Sequence, residues 1–193
     1  MSDDRDRLVV ATGNAHKLRE FRRLLPGLNL EPLPDGVGLP PEGEDSFAAN
    51  ALVKARAAAS ATGLPAIGDD SGIEADALGG RPGILSARFA GPAASDAENL
   101  AKLRAEATAG SRLRFVCALA LVGAGGVERV FLGESRGTLA PSPRGAGGFG
   151  YDPVFLVDGD AEGRTMAELS DAEKDEVSHR GAAARQLLAH LGA

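Results

Sequence analysis

One segment near the N-terminus restricts the fold class more than any other. Arg7-Leu8-Val9-Val10-Ala11 reads as a short buried strand that Thr12-Gly13-Asn14 breaks. From Ala15 to Leu25 the apolar residues Leu18, Phe21, Leu24 and Leu25 then recur at helical spacing until Pro26-Gly27 ends the run. A strand that turns straight into a helix points to parallel strand pairing, at least in this part of the chain.

The remaining elements fit a mixed α/β fold. Leu28–Leu33 is a candidate second strand, and Pro34–Asp45 is rich enough in Pro and Gly to be a loop. An Ala-rich helix follows over Ser46–Thr62, closed by Gly63. Leu64–Ile67 reads as a strand ending in the turn Gly68-Asp69-Asp70-Ser71-Gly72, with extended structure resuming over Ile73–Ala77. The capping box Ser95-Asp96-Ala97-Glu98 opens a helix to about Ala107. Arg114–Val122 and Val127–Glu134 read as a β-hairpin across Gly123–Gly126. After the Pro/Gly-rich stretch Ala140–Pro153, a second capping box, Ser170-Asp171-Ala172-Glu173, opens one last helix with Val177, Ala184, Leu187, Leu188 and Leu191 on its apolar side. No internal repeat is present.

Composition removes several function classes. The 193 residues suffice for one domain with a real core. A net charge of -6 argues against broad nucleic-acid binding, which needs surplus Lys and Arg facing phosphates. The single cysteine, Cys117, lies in an apolar run and reads as a core residue; with only three histidines, a Cys/His zinc site is not expected. The charged start MSDDRDR has no apolar signal region, and no stretch approaches the ~20 apolar residues of a membrane helix. A cytoplasmic protein is the expectation.

Four constellations can carry chemistry, each with a plainer reading beside it. Thr12-Gly13-Asn14-Ala15-His16-Lys17 sets a turn at a helix N-terminus, where backbone amides and the donors of Thr12, Asn14 and Lys17 suit phosphate; the plainer reading is an ordinary cap with a solvated lysine. Asp69 and Asp70 are adjacent carboxylates whose repulsion a hard cation such as Mg²⁺ would relieve, with Glu42 or Glu44 as a further ligand, or they are a surface turn. Phe149 and Tyr151 among the glycines of 145–150 offer a face on which a flat ring stacks, with Asp152 as acceptor, or they plug a loose loop. Lys174, Ser178, His179, Arg180 and Gly181 gather donors for phosphate or a carbonyl-bearing base, or form a solvated helix face, and Arg81 and Arg88 carry the same two readings. Together they make the parts of a nucleoside triphosphate site.

The motifs Thr12-Gly13-Asn14…Lys17, Asp69-Asp70-Ser71-Gly72, Pro82-Gly83…Ser86-Ala87-Arg88, Gly147-Gly148-Phe149-Gly150-Tyr151-Asp152-Pro153 and Ser178-His179-Arg180-Gly181 resemble, in order and spacing, those of the inosine triphosphate pyrophosphatase family, and within it the bacterial enzymes acting on dITP and XTP. The resemblance runs from about Leu8 to Leu191. It implies one domain over residues 1–193, with a mixed central sheet flanked by helices and two lobes around the active-site cleft, assembled as a homodimer. It also implies Mg²⁺-dependent cleavage of non-standard purine triphosphates to monophosphate and pyrophosphate, with no nucleic-acid polymer or membrane as partner. By the same resemblance, Thr12, Gly13, Asn14, Ala15, His16 and Lys17 hold the triphosphate, and Asp70 is the general base and a metal ligand, aided by Glu42. Lys17 stabilises the leaving group, and Ser71 touches substrate. Phe149, Gly150, Tyr151 and Asp152 hold the purine, and Lys174, His179 and Arg180 complete the contacts. One departure stands out: Ala49 precedes Asn50 where many relatives carry Glu, which leaves the metal to Glu42 or Glu44.

Overall fold

The computed structural model describes residues 7–43 and 45–192; the charged N-terminal residues before Arg7 and the candidate ligand Glu44 lie outside them. Strand β1 (Arg7–Ala11) pairs in parallel with β2 (Asn29–Pro32) on one side and with β3 (Ala66–Ala75) on the other, Val10 standing opposite Pro32 and Ile67. Its pleat explains why Leu8–Ala11 is apolar throughout. Leu8 and Val10 pack into one core cluster and Val9 and Ala11 into another, so both faces are covered, as in parallel sheets. Helix α1 (Ala15–Leu24) starts at the Asn14 cap and ends where the Leu25 amide donates to the Phe21 carbonyl.

The full sheet has the order β2-β1-β3-β4-β5-β6, with β4 (Arg112–Val122), β5 (Glu128–Leu139) and a short β6 (Phe155–Val157) antiparallel to β5. The expected mixed α/β class is what forms. Helices α2 (Phe47–Thr62), α3 (Asp96–Glu106), α4 (Asp171–Val177) and α5 (His179–Leu191) complete it. No helix among the described residues is long and apolar enough to cross a membrane.

Three expectations are corrected. Gly68–Gly72 is not a turn at a strand end: β3 runs unbroken through it, because Ala66, Ile67, Ile73 and Ala75 are all buried and the intervening Asp69 and Asp70 find partners inside the protein. The last helix is two helices. Ser178 leaves α4 in an extended conformation (φ -76, ψ 154), and its Oγ then accepts from the Gly181 amide at 3.0 Å to start α5. The hairpin strands also reach further than expected, to Arg112 and Leu139.

The chain resolves into two compact units. One contains the described residues up to Asp70, Cys117–Gly133 and the residues from Ala182 onward; the other contains Ser71–Val116 and Glu134–Gly181. The first is built on Leu8, Val10, Phe21, Leu25, Ile67, Cys117, Leu119 and Leu187. The second is built on Ile73, Leu103, Leu113, Phe115, Tyr151, Phe155 and Met166.

Within the first unit, α2 lies so close to β3 that a side chain at Gly68 would overlap the Ala51 carbonyl oxygen and stand 2.8 Å from the Ala55 nitrogen. The buried alanines of α2, at 51, 55 and 58, permit that approach. Gly68→Ala is therefore expected to cost about 1–3 kcal/mol, the usual penalty of overpacking, read as a lowered midpoint in denaturant. An unchanged midpoint would show that α2 and β3 are not in the close contact described.

Candidate active site

Consecutive side chains of a strand point to opposite faces, so the unbroken β3 separates Asp69 from Asp70. The repulsion expected between them does not set their chemistry; each has its own partners. Asp70 Oδ1 lies 3.1 Å from Lys54 Nζ, and Asp70 Oδ2 accepts from Asn50 Nδ2 at 3.0 Å. The same ammonium lies 2.5 Å from Glu42 Oε1 and donates to the Asp69 carbonyl oxygen at 3.2 Å. Asn50 also accepts from the Gly43 amide at 2.8 Å, which pins the loop carrying Glu42 to the first turns of α2. Asn50 and Lys54 are four residues apart and so share one helical face.

Burial pushes the Asp70 carboxyl up from its ordinary value against the pull of Lys54 and Asn50, and the neighbouring Glu42 charge adds to the rise. Glu42 moves the other way. Burial would raise it, but Lys54, the Asp70 carboxyl and the more distant Lys17 charge together hold it below the usual range. Lys54 is raised: burial would lower it, but the Asp70 charge and the Glu42 hydrogen bond prevail. The two carboxyls around Lys54 are thus shifted in opposite directions, Asp70 up and Glu42 down.

Asp69 belongs to a different arrangement. Its Oδ1 lies 2.5 Å from Lys17 Nζ, and its Oδ2 accepts from Cys117 Sγ at 3.3 Å. Among the described residues no three His, Cys, Asp or Glu side chains are gathered to hold a metal, so the expected set of Glu42, Asp69 and Asp70 does not assemble around one point. Glu42 and Asp70 remain as the pair whose oxygens face one cation.

The N-terminal turn is capped rather than open. Asn14 Oδ1 accepts from the His16 and Lys17 amides at 2.9 and 3.3 Å, and Thr12 Oγ1 accepts from the Asn14 amide at 3.1 Å. Gly13, Ala15 and His16 are exposed, with the His16 ring 2.7 Å from Arg19.

The second unit gathers the other expected residues. Arg180 donates to Ser71 Oγ at 2.6 Å, and its guanidinium lies 5.1 Å from the centre of the Phe149 ring. Lys174 Nζ lies 5.3 Å from the same ring and 2.7 Å from Asp152 Oδ2, which also accepts from the Phe149 amide at 2.9 Å. The Lys174 and Asp152 side chains are each only 5% exposed. A side chain at Gly148 would overlap Asp152 Oδ2, and its φ of +68° favours glycine in any case, so this loop closes only with Gly there. His179 stacks on Phe115 with centroids 4.7 Å apart. Gly150 donates to Asp96. Tyr151 departs from its expected place: its ring is part of the second core, and its hydroxyl donates to the Ser86 carbonyl at 2.7 Å.

Two residues central to this geometry, Asn50 and Lys54, lie in none of the five sequence motifs. Their signal was present: a polar and a charged side chain four apart on the face of α2 that otherwise carries buried alanines.

Residues 8–190 match the Ham1 family. A dITP/XTP pyrophosphatase of Frankia alni is 50% identical over 94% of this chain and 95% of its own, and one of Mycobacterium bovis is 52% identical over 96% and 95%. Among solved structures, a HAM1 protein from Coxiella burnetii superposes with a TM-score of 0.83 at 39% identity, covering 96% of this chain and 98% of that one. With likeness along nearly its whole length, the chain belongs to the Ham1 family.

Proposed function

We propose that this protein hydrolyses the non-standard purine nucleoside triphosphates dITP, ITP and XTP to the monophosphate and pyrophosphate, clearing them from the nucleotide pool. The observation that carries the reading is Asp70, a buried carboxyl with a raised pKa held by Lys54 and Asn50 beside Glu42. The names of the relatives, which specify dITP and XTP, support the substrate class.

The first unit carries groups suited to a triphosphate. Lys17 and Lys54 balance its charge, and the turn from Thr12 to Lys17 meets its outer phosphates. Asp70 takes the proton of the water that attacks the α-phosphorus, and burial, which raises its pKa, makes it a stronger base than an exposed carboxylate. Glu42 and Asp70 present hard oxygen donors on either side of one ammonium, the donor type Mg²⁺ takes, and we assign them as its ligands. Bound there, Mg²⁺ supplies neutralisation of the phosphate charge.

The second unit carries groups suited to a purine. Phe149 gives it a ring face, and donors of Lys174, His179 and Arg180 suit the 6-oxo group of hypoxanthine and xanthine. Adenine's amine would leave such a donor unpaired, at a cost of roughly 1–3 kcal/mol. We further propose a cytoplasmic homodimer acting on free nucleotides; a net charge of -6 is unsuited to broad binding of nucleic-acid polymers.

The test is pyrophosphate release from dITP, ITP, XTP, dATP, dGTP and dTTP, with Mg²⁺ and with EDTA. Metal-dependent release from the first three, with the standard nucleotides nearly inert, is expected. Release of orthophosphate alone would overturn the assigned bond, and no turnover would leave only a nucleotide-binding protein.

Asp70→Asn is expected to abolish turnover while dITP still binds. The variant also has a stability signature. A carboxyl raised on folding favours the folded state at low pH, and that contribution is lost as pH rises through its folded value. Asp70→Asn should therefore gain stability on the wild type as pH goes from acid to neutral, read in paired thermal melts. A constant difference would show that the Asp70 carboxyl is not raised.

A further inference from the structure

Asp69 is a buried carboxylate that the reaction above does not use. Its side chain is 0% exposed, and both of its oxygens are engaged. One faces Lys17 Nζ at 2.5 Å; the other accepts from the thiol of Cys117, itself fully buried among Leu8, Val10, Ile67 and Leu119. Lys17 stands on the first turn of α1, directly after the Asn14 cap, with its side chain 15% exposed.

A lysine ammonium ends a flexible four-carbon stem and holds no fixed place unless something holds it. Here the anchor is an anion on the rigid centre of β3, out of water, so the pair is little screened. The thiol suits this setting. It is small and apolar enough for a core position, and as a neutral donor it fixes the orientation of the carboxylate while leaving its charge to Lys17.

Resting on the function proposed above, we propose that Asp69 is a positioning residue: braced by Cys117, it holds the Lys17 ammonium in place for the triphosphate, and it is not a metal ligand. β3 thereby divides two adjacent carboxylates between tasks, Asp70 facing the reaction and Asp69 holding a cation that serves it.

Asp69→Asn, Cys117→Ala and Cys117→Ser test this. Three readouts apply: dITP turnover across a Mg²⁺ titration, acylation of Lys17 in metal-free protein by mass spectrometry, and the S–H stretch of the single thiol. Asp69→Asn is expected to lower kcat by roughly 10²-fold, the scale of a catalytic group misplaced by about an ångström, with the half-activating Mg²⁺ concentration unchanged. Lys17 acylation should rise and the S–H band should shift. Cys117→Ala should lower kcat by about fivefold, the worth of one ordinary hydrogen bond, and Cys117→Ser should recover most of that loss.

A raised Mg²⁺ requirement in Asp69→Asn with unchanged Lys17 acylation would overturn the proposal in favour of a metal ligand. If Asp69→Asn does not fold, the Cys117 pair decides: equal kcat in both variants overturns it, and recovery in the serine variant supports it. If the wild type turns over no nucleotide, the function above fails, but the acylation and infrared readouts still report on the anchor.

Discussion

The ammonium of Lys54 sits among the Glu42 carboxylate, the Asp70 carboxylate and the Asp69 carbonyl, and the first unit's chemistry depends on it. Two acidic groups that close would repel unless one kept a proton. The lysine ammonium between them lets both stay near each other. It also joins three stretches of chain that are far apart in sequence: the loop carrying Glu42, helix α2 and the centre of β3. Removing one partner of such a buried pair typically costs about 3–5 kcal/mol, because the other is left without compensation. The cluster accordingly ties the fold together, with Asn50 and Lys54 buried on α2 alongside its alanines.

The glycines and alanines around it are the packing counterpart. Gly68 and the buried alanines of α2 let the helix backbone approach β3 closely. Lys54 gains its reach to Asp70 from this approach: on a helix held farther away, the side chain would have to span a wider gap with more loss of rotamer freedom. Small residues in the core here set a distance between functional groups as well as filling space.

Much of the fold was legible in the sequence because its signals are local. Caps at Ser95 and Ser170, the stop at Gly63, and the apolar runs of β1 and β4 name their elements directly. The course of β3 was not legible. Gly68-Asp69-Asp70-Ser71-Gly72 has turn composition, and only partners distant in sequence, such as Lys17, Asn50, Lys54 and Cys117, make an extended path through the interior favourable. The same holds for the site. Asp70, Phe149 and Arg180 lie in recognisable motifs, whereas Glu42 lies outside them and Lys54 resembles any lysine on an Ala-rich helix until its burial is known. Tyr151 misleads for the opposite reason: an aromatic in a glycine-rich loop reads as a ligand surface, but it serves the core.

The break at Ser178 governs the geometry of the second unit through phase. Lys174 and Arg180 are six residues apart, and on one continuous helix that separation would turn them roughly 240° from each other, onto different faces. The extended residue between α4 and α5 resets the angular count, so that both cations come within 5.1–5.3 Å of the centre of one Phe149 ring. A serine outside the helical count thus acts as a rotational offset, converting two helical addresses into one shared place.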